Sequence, residues 1–193
     1  MSVKPLLNAF RDYISLREEG TTQEWFGGFD WNLSERNLGP QLIPAIELVP
    51  EVLEFSKGGE LRLAETFVKM RNQLQWIQSY TADDFGQYMV DNYGFVELIG
   101  TRGHFVSNDI AAGFVFFGRG IEYPNHWHDS EAFYYPLTGT GLWSQDNGPY
   151  ESKRAGEFVF HESNEHHALK APDAPLLALY AWRGGDLAEK GNY

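Results

Sequence analysis

The 193-residue sequence predicts a mainly β protein with some α-helix, in which a helical N-terminal half packs against a C-terminal antiparallel β-barrel. Three observations support this prediction. Apolar residues in the first half recur at helical spacing, and the second half alternates short β-prone runs with turn residues. A His-x-His pair in the second half is also followed, about forty residues later, by further histidines. Many short strands with regular turns are typical of sandwiches and barrels.

The helical half is predicted to extend over residues 1–94. Its apolar side chains follow the 3.6-residue period, and Gly58-Gly59 separates the two central helices. Thr81 is a suitable N-cap for the last helix. The predicted helices cover residues 6–16, 43–55, 61–80 and a short segment from 81 to about 94.

The β half is predicted to extend over residues 95–193. Glycine-, proline- and asparagine-rich turns separate its runs, and Asp146-Asn147-Gly148 is a favourable hairpin turn. The predicted strands cover residues 95–99, 104–107, 111–117, 122–128, 132–137, 141–145, 150–154, 157–160, 167–170 and 176–182.

The composition excludes several classes of partner. The formal net charge is −12 and no basic patch is visible, so neither nucleic acid nor an anionic membrane surface is an expected partner. No stretch approaches the roughly 18 apolar residues of a membrane span, and charged residues interrupt the first twenty, which argues against a secretory signal. We therefore expect a soluble, cytoplasmic protein.

The histidines indicate a metal site. His126 and His128 lie on a predicted strand, where side chains two residues apart point to the same face. His167 can reach the same point after the intervening hairpins. Because the chain has no cysteine, any metal must bind through nitrogen and oxygen ligands, and three imidazoles inside a barrel suit a divalent ion.

Two sequence signatures in the β half resemble those of the cupin superfamily. Five residues separate Gly120 from His126, and Gly139 stands where the first signature closes. Gly156-Glu157 and His167 match the opening and the distal histidine of the second signature. This resemblance implies a cupin (double-stranded β-helix, jelly-roll) barrel that carries the metal site.

Within the cupins, the chain resembles the dimethylsulfoniopropionate (DMSP) lyases of the DddQ/DddL-like group. That group has a Tyr-x-x-His-x-His-x-x-x-Glu-x-Tyr run, and Tyr123, His126, His128 and Tyr134 fill four of its five named places. The ending 179–184 and the helical N-terminal extension are also similar. The match is specific from about residue 120 to 184.

One position departs from the pattern of that family. The metal-binding glutamate belongs at position 132, where this chain has Ala132. Either Ala132 replaces a ligand and leaves a weakened site, or the adjacent Glu131 substitutes through a bulge that redirects its side chain. We favour the first interpretation, because the six-residue spacing to Gly139 identifies 132 as the carboxylate position.

The resemblance implies cleavage of DMSP, a small zwitterion, to dimethyl sulfide and acrylate by β-elimination. His126, His128 and His167 would hold a divalent ion (Zn, Mn, Fe, Co or Ni), which acts as a Lewis acid toward the substrate carboxylate. In a second arrangement, His126 contacts the substrate instead.

The other catalytic groups are expected to be aromatic. Tyr134 shares the face of position 132 and is our candidate base, since a nearby cation favours its phenolate. Tyr123 is a second base or a hydrogen-bond donor to the substrate. Trp182 is the candidate for binding the sulfonium cation through its ring face.

Alternatives remain open at this point. Fold does not determine function, so another metallocupin, such as a dioxygenase or isomerase, or a non-catalytic binding cupin also fits. His161 shares the alternation of His167 only on an unbroken strand, and a turn at Ser163-Asn164 breaks it, so we give His161 only a minor claim to a place in the pocket. Cupins commonly dimerise, and a homodimer is therefore also considered.

Overall fold

The structure, a computed structural model, describes residues 2–193. These residues form five α-helices, which are α1 Lys4–Ile14, α2 Gly20–Phe26, α3 Gly58–Met70, α4 Ala82–Phe85 and α5 Gln87–Asn92. They also form three 3-10 helices at Pro44–Glu47, Val49–Glu54 and Arg71–Gln73. None of the helices in this range is long and apolar enough to cross a membrane.

Eleven strands follow or interrupt the helices within residues 2–193. They are β1 Trp76–Ile77, β2 Tyr93–Gly100, β3 Phe105–Val106, β4 Ile110–Phe117, β5 Ile121–His126, β6 Glu131–Pro136, β7 Gly141–Gln145, β8 Glu151–Lys153, β9 Val159–His161, β10 His167–Ala171 and β11 Leu176–Arg183. Each of the ten predicted strands overlaps one of these, with ends that differ by a few residues.

The helical half departs from the prediction at two places. Residues 43–55 form two short 3-10 helices, each with a proline in its first turn, namely Pro44 and Pro50. Proline has no N–H to donate, so an α-helix cannot run through Pro50 without losing a hydrogen bond. The predicted helix over 61–80 ends at Met70, and Trp76–Ile77 instead pairs with β2 as an added strand.

The strands form two sheets. The large sheet has the order β1-β2-β4-β11-β6-β9, with β3 pairing in parallel with β2, and the small sheet has the order β5-β10-β7-β8. No hydrogen-bonded strand pair joins the two sheets within residues 2–193, so the predicted barrel is an open pair of antiparallel sheets. The mainly β architecture with helices is otherwise as expected.

The large sheet is buried on both faces, which explains its continuous apolar strands. In β4, Phe114 and Phe116 belong to a core shared with the helices, whereas Val115 and Phe117 belong to a second core shared with the small sheet. Each fully buried phenylalanine contributes roughly 1.5–3 kcal/mol through loss of water contact. The candidate site lies within the second core.

Polar contacts also attach the helical half to the large sheet. The Tyr135 hydroxyl donates to Glu19 Oε2 at 2.7 Å and lies 2.7 Å from Thr22 Oγ1. The ring of Phe10 meets Phe114 edge to face, with centroids 6.0 Å apart. The helices therefore cover the outer face of the sheet, and the inner face remains for the site.

Candidate functional site

The three histidines predicted as ligands lie together between the sheets. His126 ends β5, His167 begins β10, and the two are directly opposite in the antiparallel register. His128 follows two residues after the end of β5. All three side chains are buried, and a donor atom from each lies within 4.8 Å of the others. The His126 and His167 ring centroids are 4.1 Å apart.

Hydrogen bonds give the three imidazoles the same tautomer. Nδ1 of His126 lies 2.9 Å from the Pro124 carbonyl, Nδ1 of His128 lies 2.8 Å from that of Ser130, and Nδ1 of His167 lies 2.9 Å from that of Glu165. A carbonyl only accepts, so each Nδ1 carries the proton and each Nε2 keeps a lone pair. This arrangement is typical of histidines that bind metals.

The Nε2 atoms fit a divalent ion. Within residues 2–193, Nε2 of His128 and Nε2 of His167 are buried and have no hydrogen-bond partner. Burial lowers the pKa of His126 to about 3 and that of His167 well below its ordinary value, so both are neutral near pH 7. Neutral imidazoles with free lone pairs are the ligands that zinc and related ions prefer. The triad can therefore bind a metal ion.

The structure places the two candidates for a carboxylate ligand on opposite faces. Ala132 is fully buried and faces the histidines, while Glu131 is exposed. Glu131 is paired with Arg183 in regular register, with no bulge to redirect it. Glu131 therefore points away from the triad, and the methyl group of Ala132 has no atom that could bind a metal.

A cavity surrounds the triad, and aromatic side chains form the largest group among its lining residues. The cavity lies between the two sheets and is partly open to solvent. Arg102 and Glu189 are the charged side chains among its lining residues within 2–193. The aromatic lining consists of Tyr80, Tyr93, Phe95, Phe117, Tyr123, Tyr134, Trp143, Tyr180 and Trp182.

Both tyrosines predicted to be catalytic line this cavity. The Tyr134 ring lies 5.2 Å from Trp143, and burial raises the pKa of its hydroxyl to about 12. The Tyr123 ring lies 4.4 Å from His126, and its hydroxyl is 2.8 Å from that of Tyr80. Desolvation raises the pKa of Tyr123 well above its ordinary value. Both phenols are therefore protonated near pH 7 when no cation is close.

Trp182 also lies where the sequence predicts a substrate contact. It is directly opposite Ala132 on the adjacent strand, and its ring centroid is 4.1 Å from that of His128. Trp127, by contrast, pairs with Asn192 and packs on His166 outside the cavity. The alternation of side chains along the strand thus separates Trp127 from its two histidine neighbours.

Sequence reasoning missed three residues of the cavity, Tyr80, Tyr93 and Arg102, and a fourth histidine beside the triad. His161, which the sequence only weakly predicted to be in the pocket, is fully buried. Its ring stacks on that of His167, with centroids 4.1 Å apart. The available signal was that His161 and His167 are an even number of residues apart, so they would share a face on an unbroken strand. Tyr80 and Tyr93 come from the boundary of the helical half, and Arg102 follows β2. No local pattern marks these three, because their positions depend on strand pairing.

The chain is similar in sequence to a known protein family and to a characterised relative. Residues 23–178 match the family model described as dimethylsulfoniopropionate lyase. The chain is 29% identical over 177 residues to dimethylsulfoniopropionate lyase DddQ of Ruegeria pomeroyi, covering 92% of this chain and 88% of that protein.

Two solved structures are similar over nearly the whole chain. The crystal structure of DMSP lyase DddQ from Ruegeria pomeroyi superposes with a TM-score of 0.86 at 26% identity, covering 98% of this chain and 96% of that one. A structure from a study of the DMSP lyases RdDddP and RnDddQII superposes with a TM-score of 0.88 at 26% identity, covering 97% and 94%.

Proposed function

The chain belongs to the dimethylsulfoniopropionate lyase family, and on that premise we propose that it cleaves DMSP to dimethyl sulfide and acrylate with the help of a divalent metal ion. The observation that carries the proposal is the position of the triad. Three neutral imidazoles present their Nε2 atoms to a cavity whose walls are aromatic and contain a buried phenol.

His126, His128 and His167 would hold the ion in this proposal. When bound, the ion supplies Lewis-acid stabilisation for the negative charge that develops on the substrate carboxylate. The donor set does not select among Zn, Mn, Fe, Co and Ni, since imidazole suits several of them. The backbone carbonyls that accept from Nδ1 keep the three rings in the tautomer that binding requires.

Tyr134 is the proposed base. A positive charge close to its hydroxyl counteracts the burial that raises its pKa to about 12, and so favours the phenolate. The phenolate takes the proton from the carbon next to the carboxylate. The electron pair of that C–H bond forms the new C=C bond. The C–S bond breaks, and its electrons leave on sulfur as neutral dimethyl sulfide. Tyr134 then returns the proton to water.

The substrate would lie between the triad and the aromatic wall. Trp182 and its neighbours can bind the sulfonium through their ring faces, at about 0.5–2 kcal/mol for a good contact. Tyr123 would donate a hydrogen bond to the substrate carboxylate or act as a second base. His126 lies beside Tyr123 and is therefore the ligand best placed to contact the substrate as well.

A binding protein without turnover is the second candidate, and Ala132 is the observation that favours it. A weaker metal site than that of an enzyme with a carboxylate ligand would reduce or abolish the elimination. Turnover therefore has to be measured directly, with the metal supplied.

Headspace gas chromatography of purified protein with DMSP tests the proposal. We expect dimethyl sulfide to be released after addition of Zn²⁺, Mn²⁺, Fe²⁺, Co²⁺ or Ni²⁺, and release to stop with a chelator. Absence of release from both this chain and Ala132→Glu, with each metal, would reject the lyase function. Release that requires oxygen would indicate an oxygenase instead.

A further inference from the structure

A fourth histidine lies beside the triad. His161 of β9 is directly opposite Ala132 of β6, and Trp182 of β11 is opposite Ala132 on its other side. Side chains directly opposite each other in an antiparallel pair project from the same face of the sheet. His161 therefore projects to the same side as Ala132, toward the cavity, and both residues are fully buried.

The hydrogen bonds of His161 determine its tautomer. Its Nδ1 lies 3.5 Å from Glu165 Oε1 and 3.3 Å from Gln145 Nε2. The two amide hydrogens of Gln145 already go to the Phe160 carbonyl at 2.7 Å and to Glu165 Oε1 at 2.9 Å. Gln145 therefore has no hydrogen left for the ring, and Nδ1 carries a proton directed at the Glu165 carboxylate.

The Nε2 atom of His161 is consequently a buried acceptor with a free lone pair. Like Nε2 of His128 and of His167, it has no hydrogen-bond partner in residues 2–193. A buried polar group left without a hydrogen-bond partner is destabilising. His104 shows what a structural histidine does instead, because its Nε2 accepts from the backbone N–H of Gln75 at 3.1 Å. The unpaired acceptor of His161 indicates a ligand.

We propose that His161 supplies a fourth imidazole to the metal site and takes the coordination position left open by Ala132. The inference rests on the proposed function in that it needs a metal at the triad. Zinc and similar ions are commonly four-coordinate with nitrogen ligands. The Glu165 carboxylate that accepts from Nδ1 would orient the ring, as carboxylates do behind many histidine ligands.

The position of His161 requires one local adjustment. Its ring is nearly parallel to that of His167, at 13°, and His161 is not in the group of three histidines whose ligand atoms lie within 4.8 Å of one another. A turn about the side-chain bonds of His161 would bring its Nε2 toward the same ion. The long contact to Glu165 and the small methyl group of Ala132 leave freedom for that turn.

Zinc binding tests the proposal without reference to turnover. Zinc K-edge X-ray absorption of the Zn²⁺-loaded protein counts imidazoles, and we expect four. His161→Phe keeps a ring but removes Nε2, so we expect three imidazoles and a Kd for Zn²⁺ at least about tenfold weaker, measured by competition with a chelating dye. His166→Ala, at the neighbouring half-buried histidine that packs on Trp127, is the matched control and should leave both unchanged.

A glutamate at position 132, directly opposite residue 161 on the neighbouring strand, should compensate for loss of the His161 side chain. We expect the double variant His161→Ala/Ala132→Glu to regain most of the affinity lost in His161→Ala. The gain from Ala132→Glu should be larger in that background than in the unaltered chain, a non-additivity expected of residues that share one position. A purely structural His161 would show no such rescue.

The outcomes separate this inference from the proposed function. Three imidazoles in the unaltered chain, no zinc binding, or an unchanged Kd in His161→Phe would overturn the role of His161. The first measurement needs no variant, so it decides even if substitutions at 161 prevent folding. Four imidazoles without dimethyl sulfide release would support His161 while rejecting the lyase activity.

Discussion

The indole of Trp182 packs against the imidazole of His128, with ring centroids 4.1 Å apart and an interplanar angle of 32°. This contact joins the aromatic wall of the cavity to the histidine triad. A zwitterion with a carboxylate at one end and a cation at the other could therefore contact both at once. In the proposed function, the two predicted roles, metal binding and cation binding, would therefore meet in one cavity.

Replacing Trp182 tests the cation-binding role. Trp182→Leu removes the ring face, and loss of about 0.5–2 kcal/mol should raise KM for DMSP roughly 2- to 30-fold. Trp182→Phe should have a smaller effect, since a weaker ring face remains. Steady-state kinetics of dimethyl sulfide release measures both variants, and an unchanged KM in Trp182→Leu would contradict the role.

Replacing Tyr134 tests the proposed base. Tyr134→Phe keeps the ring and removes the hydroxyl, so kcat should fall by about 10²-fold or more, while zinc affinity remains. Tyr135→Phe is the matched control, because that hydroxyl points to the helices rather than the cavity. Turnover in Tyr134→Phe close to that of the unaltered chain would show that another group takes the proton.

Replacing Tyr135 tests how the helical half is attached. Its hydroxyl contacts both Glu19 and Thr22, and Tyr135→Phe leaves the buried Thr22 hydroxyl without this partner. We expect the free energy of unfolding to fall by about 1–3 kcal/mol, as measured by urea denaturation. Unaltered stability would mean that water replaces the phenol at no cost.

Metal binding should stabilise the fold. A ligand that binds only the folded chain adds about 2.7 kcal/mol at a concentration of 100 times Kd. For a chain of this length, that corresponds to an increase of roughly 5–10 °C in Tm, measured by thermal unfolding of chelator-treated protein with added Zn²⁺. His126→Ala/His128→Ala should show no such increase. A similar increase in this variant would place the metal elsewhere.

Stability without metal should fall in acid. Burial lowers the pKa of His126 to about 3 from an unfolded value of about 6.5, so the unfolded chain binds more protons between these values. Stability is therefore greatest above pH 6.5 and decreases as pH falls toward 3, by at most about 1.4 kcal/mol per pH unit for each such histidine.

Urea denaturation at pH 7, 6 and 5 in the presence of a chelator measures this dependence. His126→Asn removes one titrating group, so its slope should be shallower than that of the unaltered chain. Comparing slopes cancels the contribution of the acidic surface, which is common to both. Equal slopes would indicate that His126 is not desolvated in the folded state.

Local periodicity accounts for what could be predicted. The ten strands follow from runs bounded by turn residues, and the inward direction of His126, His128 and Tyr134 follows from alternation along their own segments. The outward position of Glu131 follows from the same rule once Ala132 faces the cavity. Such features depend only on neighbours in sequence.

Strand pairing decides the remaining features. The sequence by itself determined the strands and the shared face of His126 and His128, because each is encoded within one short segment. Only the tertiary structure placed His161 across from Ala132, brought Tyr80 to Tyr123 and left the two sheets open rather than closed. These depend on register between segments far apart in the chain, which no local pattern specifies.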